Sequence, residues 1–314
     1  MPMRRHAGGS LRAAVVGEPT GWHVGRLLAA LEARGHHGTA VRWNELSAEV
    51  QAARAGENPA DHAPAIERFL PPALEAADLV VVRGMPGGGL EDVVFRMDLL
   101  GRLAAQGTTV VNSPRGLEIA IDKYLSLARM AAAGLPVPRT VVVQHPTAIR
   151  EAWQSLGCDC VSKPLFGSQG RGIIRINDPA VLAPLIDAAS AAQPVGMVTY
   201  LQEFVPNDGW DVRILVVGDE TFSIRRFAAP DEWRTNVSLG GRPEPFTPPA
   251  AWIDLARDAA RAVETEIAGV DLLPARDGRV VVLEVNAVPG WRGLETATGI
   301  DVANAVVRHL EKRG

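Results

Sequence analysis

Residues 280–290 read VVVLEVNAVPG, an apolar strand running into a proline-glycine turn and interrupted by Glu284 and Asn286. Two positions apart on a strand, their side chains share one face. A carboxylate in such surroundings is costly to bury unless something compensates it. The neighbouring amide does not neutralise it, whereas a cation does. Asp271, in the preceding apolar stretch GVDLL, adds a second carboxylate from another strand. Two carboxylates and an amide oxygen make an all-oxygen donor set suited to Mg2+. The plainer alternative, a satisfied polar pair near a strand end, leaves the charge unexplained.

Three other stretches carry chemistry. VSKPLFGSQGRGI, residues 161–173, ends a strand on Lys163 and continues into a loop with Gly167, Ser168, Gln169, Gly170 and Gly172. Glycines let backbone N–H groups approach phosphate oxygens, and a strand-held lysine adds fixed positive charge. The spacing is not that of a P-loop, and a glycine-rich hairpin explains it equally well. In VTYLQEFVP, Glu203 followed by Phe204 and Val205 offers a carboxylate for a ribose and backbone edges for an adenine; a surface glutamate at a strand end is the alternative. WDVRILVVGDETFSIRRF reads as a hairpin around its GDE turn, with Asp211 and Arg213 on one face and Arg225 and Arg226 on opposite faces. Cross-strand ion pairing accounts for one such pair. The following loop adds Arg234 and Asn236, and that excess points to an anionic ligand.

The elements that must position these residues follow from apolar periodicity. Strands are expected at Arg12–Gly17, Thr39–Trp43, Leu79–Val82 and Thr108–Asn112, with helices at Trp22–Arg34 and Glu91–Gln106, a small α/β unit. Glu49–Asp61 reads as an irregular excursion. One helix is expected from Arg115 to Ala133, then a strand and helix, strands at Cys160–Lys163 and Ile173–Ile176, and a helix over 180–192. Strands at Asp211–Val217, Thr221–Phe227, Val270–Leu273 and Val280–Val285 alternate with helices at Ala250–Ile267 and Asp301–Lys312.

The chain's 314 residues, 47% hydrophobic and 22% charged with net charge −4, describe a globular protein of two or three structural units. Without basic runs there is no footprint for nucleic acid or an anionic membrane, so small-molecule ligands are expected. The basic N-terminus makes a poor signal peptide and no apolar run reaches membrane-spanning length, so a cytoplasmic location is expected. Cys158 and Cys160 are the only cysteines, too few for a soft metal site, and read as reduced and structural.

The order Lys123, Lys163 with its glycine loop, QEFV, DxR, RR, Asn236, Asp271 and ExN resembles the ATP-grasp ligases, and most closely their glutamate-adding RimK-like branch. QEFV, DVRILVVGDE, GVDLL and LEVNAVPGWRGLETATGIDVA carry the likeness, which runs over Ser113–Gly314. The resemblance implies an α/β (α+β) chain, an ATP-grasp fold preceded by a small α/β domain at 1–112, with a central lobe at 113–200 and a metal-bearing lobe at 201–314. It implies that an acid attacks the γ-phosphate of ATP to give an acylphosphate, from which an amine displaces phosphate. Lys123, Lys163 and the loop Gly167–Gly172 would then hold phosphates. Gln202, Glu203, Phe204, Val205 and Asp211 would hold the rest of the nucleotide. Asp271, Glu284 and Asn286 would hold two Mg2+ ions, with Mn2+ as an alternative, and Arg226 and Asn236 would stabilise the acylphosphate. One departure stands out: the family turn is serine-proline-glycine, and here Val288 replaces the serine.

The amine is expected to be L-glutamate, bound through Arg213, Arg225 and Arg234. The acid is expected near Arg83 and the glycines at 87–89, which do not form a dinucleotide fingerprint. GGGLEDVVFRMD and VVNSPRGLEIAIDKY resemble the branch that adds glutamate to tetrahydromethanopterin. A ribosomal-protein C-terminus and a deazaflavin coenzyme are the alternatives within the branch; outside it stand a non-catalytic ATP-binding module and a small-molecule kinase. A homo-oligomer is expected.

Overall fold

The computed structural model describes residues 9–49, 70–167, 170–193 and 195–314. Most of the excursion expected at Glu49–Asp61, and the loop residues Ser168 and Gln169, lie outside the described residues.

The first 111 residues supply β1 (Arg12–Val16), α1 (Trp22–Ala33), β2 (His37–Val41), α2 (Pro72–Glu75), β3 (Leu79–Val82), α3 (Leu90–Ala105) and β4 (Thr109–Val111). The strands form a parallel sheet in the order β2-β1-β3-β4. Continuous apolar runs such as LVVV in β3, buried along its whole length, suit a sheet covered on both faces. The second strand begins at His37, two residues before its expected start, and Trp43 sits in a short 3-10 turn beyond it.

Asn112 was expected as the last residue of β4. It instead leaves the strand and joins the sheets: its amide donates to the carbonyls of Ile267 (2.7 Å) and Ala287 (2.6 Å), and its oxygen accepts from the N–H groups of Glu266 and Ile267. Every polar atom of this buried side chain is thus paired.

The helix expected over Arg115–Ala133 is two helices, α4 (Pro114–Ile121) and α5 (Lys123–Ala132). Asp122 takes an extended backbone and its carboxylate accepts from the N–H groups of Tyr124 and Leu125, a cap that restarts the helix. The break places Lys123 at the first residue of α5.

A second sheet, antiparallel in the order β5-β8-β6-β7, contains β5 (Thr140–Val143), β6 (Cys160–Lys163), β7 (Ile174–Ile176) and β8 (Thr199–Glu203), with α6 (Pro146–Ser155) and α7 (Pro179–Ala191) packed on it. Cys160 is fully buried in that core, where burial raises its thiol pKa to about 12, in keeping with a structural role.

The third sheet, β11-β10-β9-β12-β13, is also antiparallel. Its strands are β9 (Trp210–Val217), β10 (Glu220–Phe227), β11 (Arg242–Pro245), β12 (Ile267–Pro274) and β13 (Val280–Asn286). The helix expected to reach Ile267 is α8 (Ala250–Ala262) and stops earlier, because Ile267 already belongs to β12. Two helices end the chain, the unanticipated α9 (Arg292–Thr298) and α10 (Val302–Glu311). Val302, Val306 and Leu310 of α10 share one core with Ala13, Val15, Leu27 and Leu31 of the first unit, so the end of the chain seals the first sheet against the third. Among the described residues no helix is long and apolar enough to cross a membrane.

Candidate active site

The second and third sheets face each other across a cleft whose walls carry most of the residues singled out above. From the second sheet come Lys163, Gln202 and Glu203. Lys163 ends β6 directly opposite Tyr200. Its ammonium donates to Gln202 Oε1 at 2.6 Å, and the Gln202 amide donates to Thr140 Oγ1 and to the Tyr200 hydroxyl. Gln202, 2% exposed, therefore positions the lysine. With no carboxylate in contact, burial lowers the Lys163 pKa to about 8, the more distant Glu284 offsetting part of the effect.

Phe204 and Val205 continue that wall. Phe204 lies under the Arg175 guanidinium (3.4 Å to the ring centre) and edge-on to Trp233; Val205 is buried with Leu273. Val161, Ile173 and Leu283 extend this apolar lining, the kind of surface an aromatic ring packs on. Glu203, at its edge, stands 4.0 Å from Arg279.

Lys123 reaches over from α5 and donates to the Gly167 carbonyl at 2.7 Å; burial lowers its pKa as well. Gly170 has φ +72°, and a Cβ there would lie 2.7 Å from Asn236 Oδ1, so only glycine permits this approach of loop to loop. Gly172, also left-handed, turns against Pro164 instead of lining the cleft.

The third sheet supplies a charge ladder set by strand register. Asp211 faces Arg226 across β9 and β10, Arg213 faces Asp271 across β9 and β12, and Asp271 faces Glu284 across β12 and β13. Arg226, 3% exposed, makes two hydrogen bonds to Asp211 (2.8 and 2.5 Å) and approaches Asp271 at 3.0 Å. Arg213 binds Asp271 through two bonds of 2.7 and 2.6 Å. Burial opposes ionisation of Asp271, yet the two arginines outweigh it and hold the carboxyl well below its usual range. Leu283 is the extra residue of a bulge between the Asp271 and Leu272 pairings, a device that re-aims neighbouring side chains.

Three of the expected residues are already engaged within the protein. Asp211, which lines the cleft, is held by Arg226 and by the Thr235 hydroxyl at 2.6 Å, so it fixes the arginine. Arg225 points to the other face of β10, pairs with Glu244 and lies over Phe227, because adjacent strand residues alternate. Arg234 is occupied by Glu232 (2.9 and 2.6 Å) and donates to the carbonyls of Gly170 and Ile173. It clasps the glycine loop to the third sheet while lining the cleft.

Among the described residues no three His, Cys, Asp or Glu side chains converge as a ready-made metal cage. The donor set nonetheless fits Mg2+. The Asn286 amide nitrogen donates to Glu284 Oε1 at 3.0 Å, which leaves the amide oxygen available. Glu284 is partly exposed to the cleft, and Arg213 stays 3.9 Å away. Asp271 commits three of its roughly four lone-pair directions to arginines and retains one.

A larger cavity of about 890 Å³ adjoins the cleft, sharing Lys123, Lys163, Arg226, Asn236 and Glu284 with it and extending to Arg83, the glycines at 87–89 and the turn after Asn286. Gly269 lets that turn fold close, since a Cβ there would lie 2.9 Å from Pro289. Val288, where the family has serine, packs on the core beneath the first sheet with Ala287 and Leu117. An apolar side chain at this position therefore has a packing role. Sequence reasoning missed Trp233, Thr235, Tyr200, His23 and Trp291; only Tyr200, two residues before Gln202 on one strand face, carried a readable signal.

Residues 120–310 match the RimK-like ATP-grasp domain. The chain is 34% identical over 266 residues to a protein of Methanosarcina acetivorans named tetrahydromethanopterin:alpha-L-glutamate ligase, covering 76% of this chain and 81% of that one. A probable alpha-L-glutamate ligase of Chromohalobacter salexigens is 32% identical over 290 residues, 91% of this chain and 90% of its own. Among solved structures, the ATP-grasp ligase PsnB, complexed with a phosphomimetic variant of its minimal precursor, Mg and ADP, is similar with a TM-score of 0.69 at 25% identity, covering 97% of this chain and 99% of that chain. With the domain spanning well over half its length, the chain belongs to the RimK-like ATP-grasp family of ligases that join an acid to an amino acid.

Proposed function

We propose that the protein joins L-glutamate to the carboxylate of a small pterin-like acid at the expense of ATP. The observation that carries this reading is the placement of Glu284 and Asn286 at the meeting of a two-lysine cleft with a large adjoining cavity. In that reading an acid oxygen attacks the γ-phosphorus as the bond to ADP breaks. The glutamate nitrogen then attacks the acyl carbon, losing its proton, and inorganic phosphate leaves. Lys123 and Lys163 neutralise phosphate charge, and the backbone of the glycine loop, with Ser168 and Gln169, donates hydrogen bonds to the phosphates. The slot at Phe204 and Val205 takes the base, and Glu203 the ribose. Arg226 faces the charge that develops on the transferred group, and Asn236 donates to it.

Asp271, Glu284 and Asn286 would hold two Mg2+ ions, or Mn2+, which when bound neutralise phosphate charge and orient the γ-phosphoryl group. Arg213, which lines the large cavity while paired with Asp271, is the expected contact for the incoming glutamate, with Arg234 at the cleft. The pterin acceptor is supported by the relatives named for tetrahydromethanopterin. A cytoplasmic homo-oligomer completes the reading. Mass spectrometry of the purified protein with ATP, Mg2+, L-glutamate and a panel of acids tests it: a pterin acid should gain one glutamyl unit with release of ADP. Phosphorylation of the acid to a stable product without any amine would identify a kinase instead.

Lys163 gives a second test. Its free-enzyme pKa of about 8 means that the ammonium loses its proton as pH rises past that value, while bound phosphate favours the charged form. Nucleotide affinity should be flat below pH 8 and fall by up to about tenfold per pH unit above it. Lys163→Met should bind nucleotide about 10- to 100-fold more weakly at pH 7 and lose the break in the profile. Unchanged affinity would show the lysine to be structural.

A further inference from the structure

Arg83 follows β3 in the parallel sheet and faces the large cavity. The strand order β2-β1-β3-β4 sends the chain to one side of β1 and then to the other. A crevice outside the carboxyl ends of β1 and β3 is where such sheets bind ligands. Gly17, just past β1, lies against the backbone of Arg83 and Gly84, and this close approach brings the guanidinium to the crevice.

The side chain is 8% exposed and has no carboxylate partner among the described residues. Nη2 donates to the Pro289 carbonyl at 2.8 Å, the guanidinium lies 4.1 Å from the Trp291 ring centre, and Nε has no hydrogen-bond partner. One carbonyl and one ring do not compensate a buried cation. Its surroundings are strongly basic. Among the described residues six basic side chains line the cavity (Arg83, Lys123, Lys163, Arg213, Arg226 and Arg292) against one carboxylate, that of Glu284. His23, which accepts from the backbone N–H of Trp291, is held neutral by burial and by Arg83 and Arg292, with a pKa of about 4. Arg213 and Arg226 are already paired with aspartates; Arg83 is not.

We propose that Arg83 anchors an anion subsite, so that the acceptor acid carries a second anionic group, a carboxylate or a phosphate, besides the carboxylate that is activated. This rests on the ligase reading above. It narrows the acceptor to dianionic acids, whose uncharged body lies along the apolar wall of Met85, Leu90, Val93, Leu127 and Met130. The guanidinium is held by the Trp291 ring and the Pro289 carbonyl, and its positive charge, without a carboxylate partner among the described residues, is what the anion would compensate. Acids of one charge leave this cation buried and unpaired, and are disfavoured on that account.

The test is calorimetric titration of the full chain saturated with Mg2+ and ADP, which occupies the phosphate-binding lysines. The probes are glutarate, its half-amide glutaramate, and 4-phosphonobutanoate. Glutarate and 4-phosphonobutanoate should bind saturably, about tenfold or more tightly than glutaramate. The tighter of the two dianions tells whether the natural group is a carboxylate or a phosphate. Arg83→Met should abolish the preference over glutaramate; Arg83→Lys, which keeps the charge without the planar fork, should retain part of it and serves where the methionine variant does not fold. Equal binding of the dianions and the half-amide by the unaltered protein, or a preference unchanged in both variants, overturns the subsite. The ligase reading is scored separately by glutamyl transfer. Arg83-dependent binding without transfer to any acid rejects that reading and keeps the subsite, whereas transfer to singly charged acids unaffected by Arg83→Met does the reverse.

Discussion

Replacing Glu284 with glutamine should lower glutamyl transfer by about three orders of magnitude or more while leaving the melting temperature nearly unchanged. The side chain is partly exposed at the end of β13 and packs no core. Its hydrogen bond from Asn286 survives the change, since the glutamine carbonyl accepts as the carboxylate did. What disappears is one negative charge at the point where the cleft and the large cavity meet. Asp271 does not replace it, because Arg213 and Arg226 already claim most of its lone pairs. A weaker donor set holds a hard cation less well, so raising Mg2+ should recover only a minor share of the loss. Steady-state ADP release at several Mg2+ concentrations, alongside thermal unfolding, reads both halves of the expectation. Turnover within about threefold of the unaltered protein would remove Glu284 from the proposed metal site.

How much of this site the sequence disclosed depended on whether the deciding interaction was local. The strand face shared by Glu284 and Asn286, the hairpin carrying Asp211 and Arg226, and the lysine at the end of β6 follow from period-two patterning and turn residues, and they stand where expected. The partners did not follow. Arg225 and Arg226 are adjacent and chemically identical, and alternation says only that they part. The aspartates on β9 and β12 decide which of them is buried. Arg234 looked like a substrate ligand because its pairing with Glu232 and with the Gly170 carbonyl spans a loop of no regular period.

The fold shows the same division. The break at Asp122 had a legible cap, an aspartate followed by a good helix start, but an unbroken apolar pattern over 115–133 concealed it. That miss bears on function, since the break is what lets Lys123 begin a helix and reach Gly167. Val288 is a further case: departure from the family serine gave no account of itself until the turn was placed against the core of the first sheet. Packing of the first unit, which the strong motifs do not cover, therefore reaches to within two residues of Asn286.

Removing the charge of Arg226 should be the most destabilising single change in the site. In Arg226→Met, Asp211 keeps only the Thr235 hydroxyl, and Asp271 keeps Arg213 alone. Breaking a buried pair by deleting one partner costs about 3–5 kcal/mol, because the remaining charge is desolvated and unpaired. The sign of the pH dependence distinguishes this cause from lost packing. In the unaltered protein Asp271 is held below its usual carboxylate range, so its contribution is fully present above the unfolded value near 4 and is lost below it, as pH falls through the lowered folded value. In the variant an uncompensated carboxylate takes up a proton more readily in the folded state, so lowering the pH from 7 to 5 should stabilise it relative to the unaltered protein. Denaturant unfolding across that range measures the difference; parallel curves would mean that packing alone had been lost. Pairing the change with Asp211→Leu should restore most of the stability, since apolar groups can replace a buried ion pair. Glutamyl transfer should remain down by about 100-fold or more, because the guanidinium proposed to face the reacting phosphoryl group is still absent.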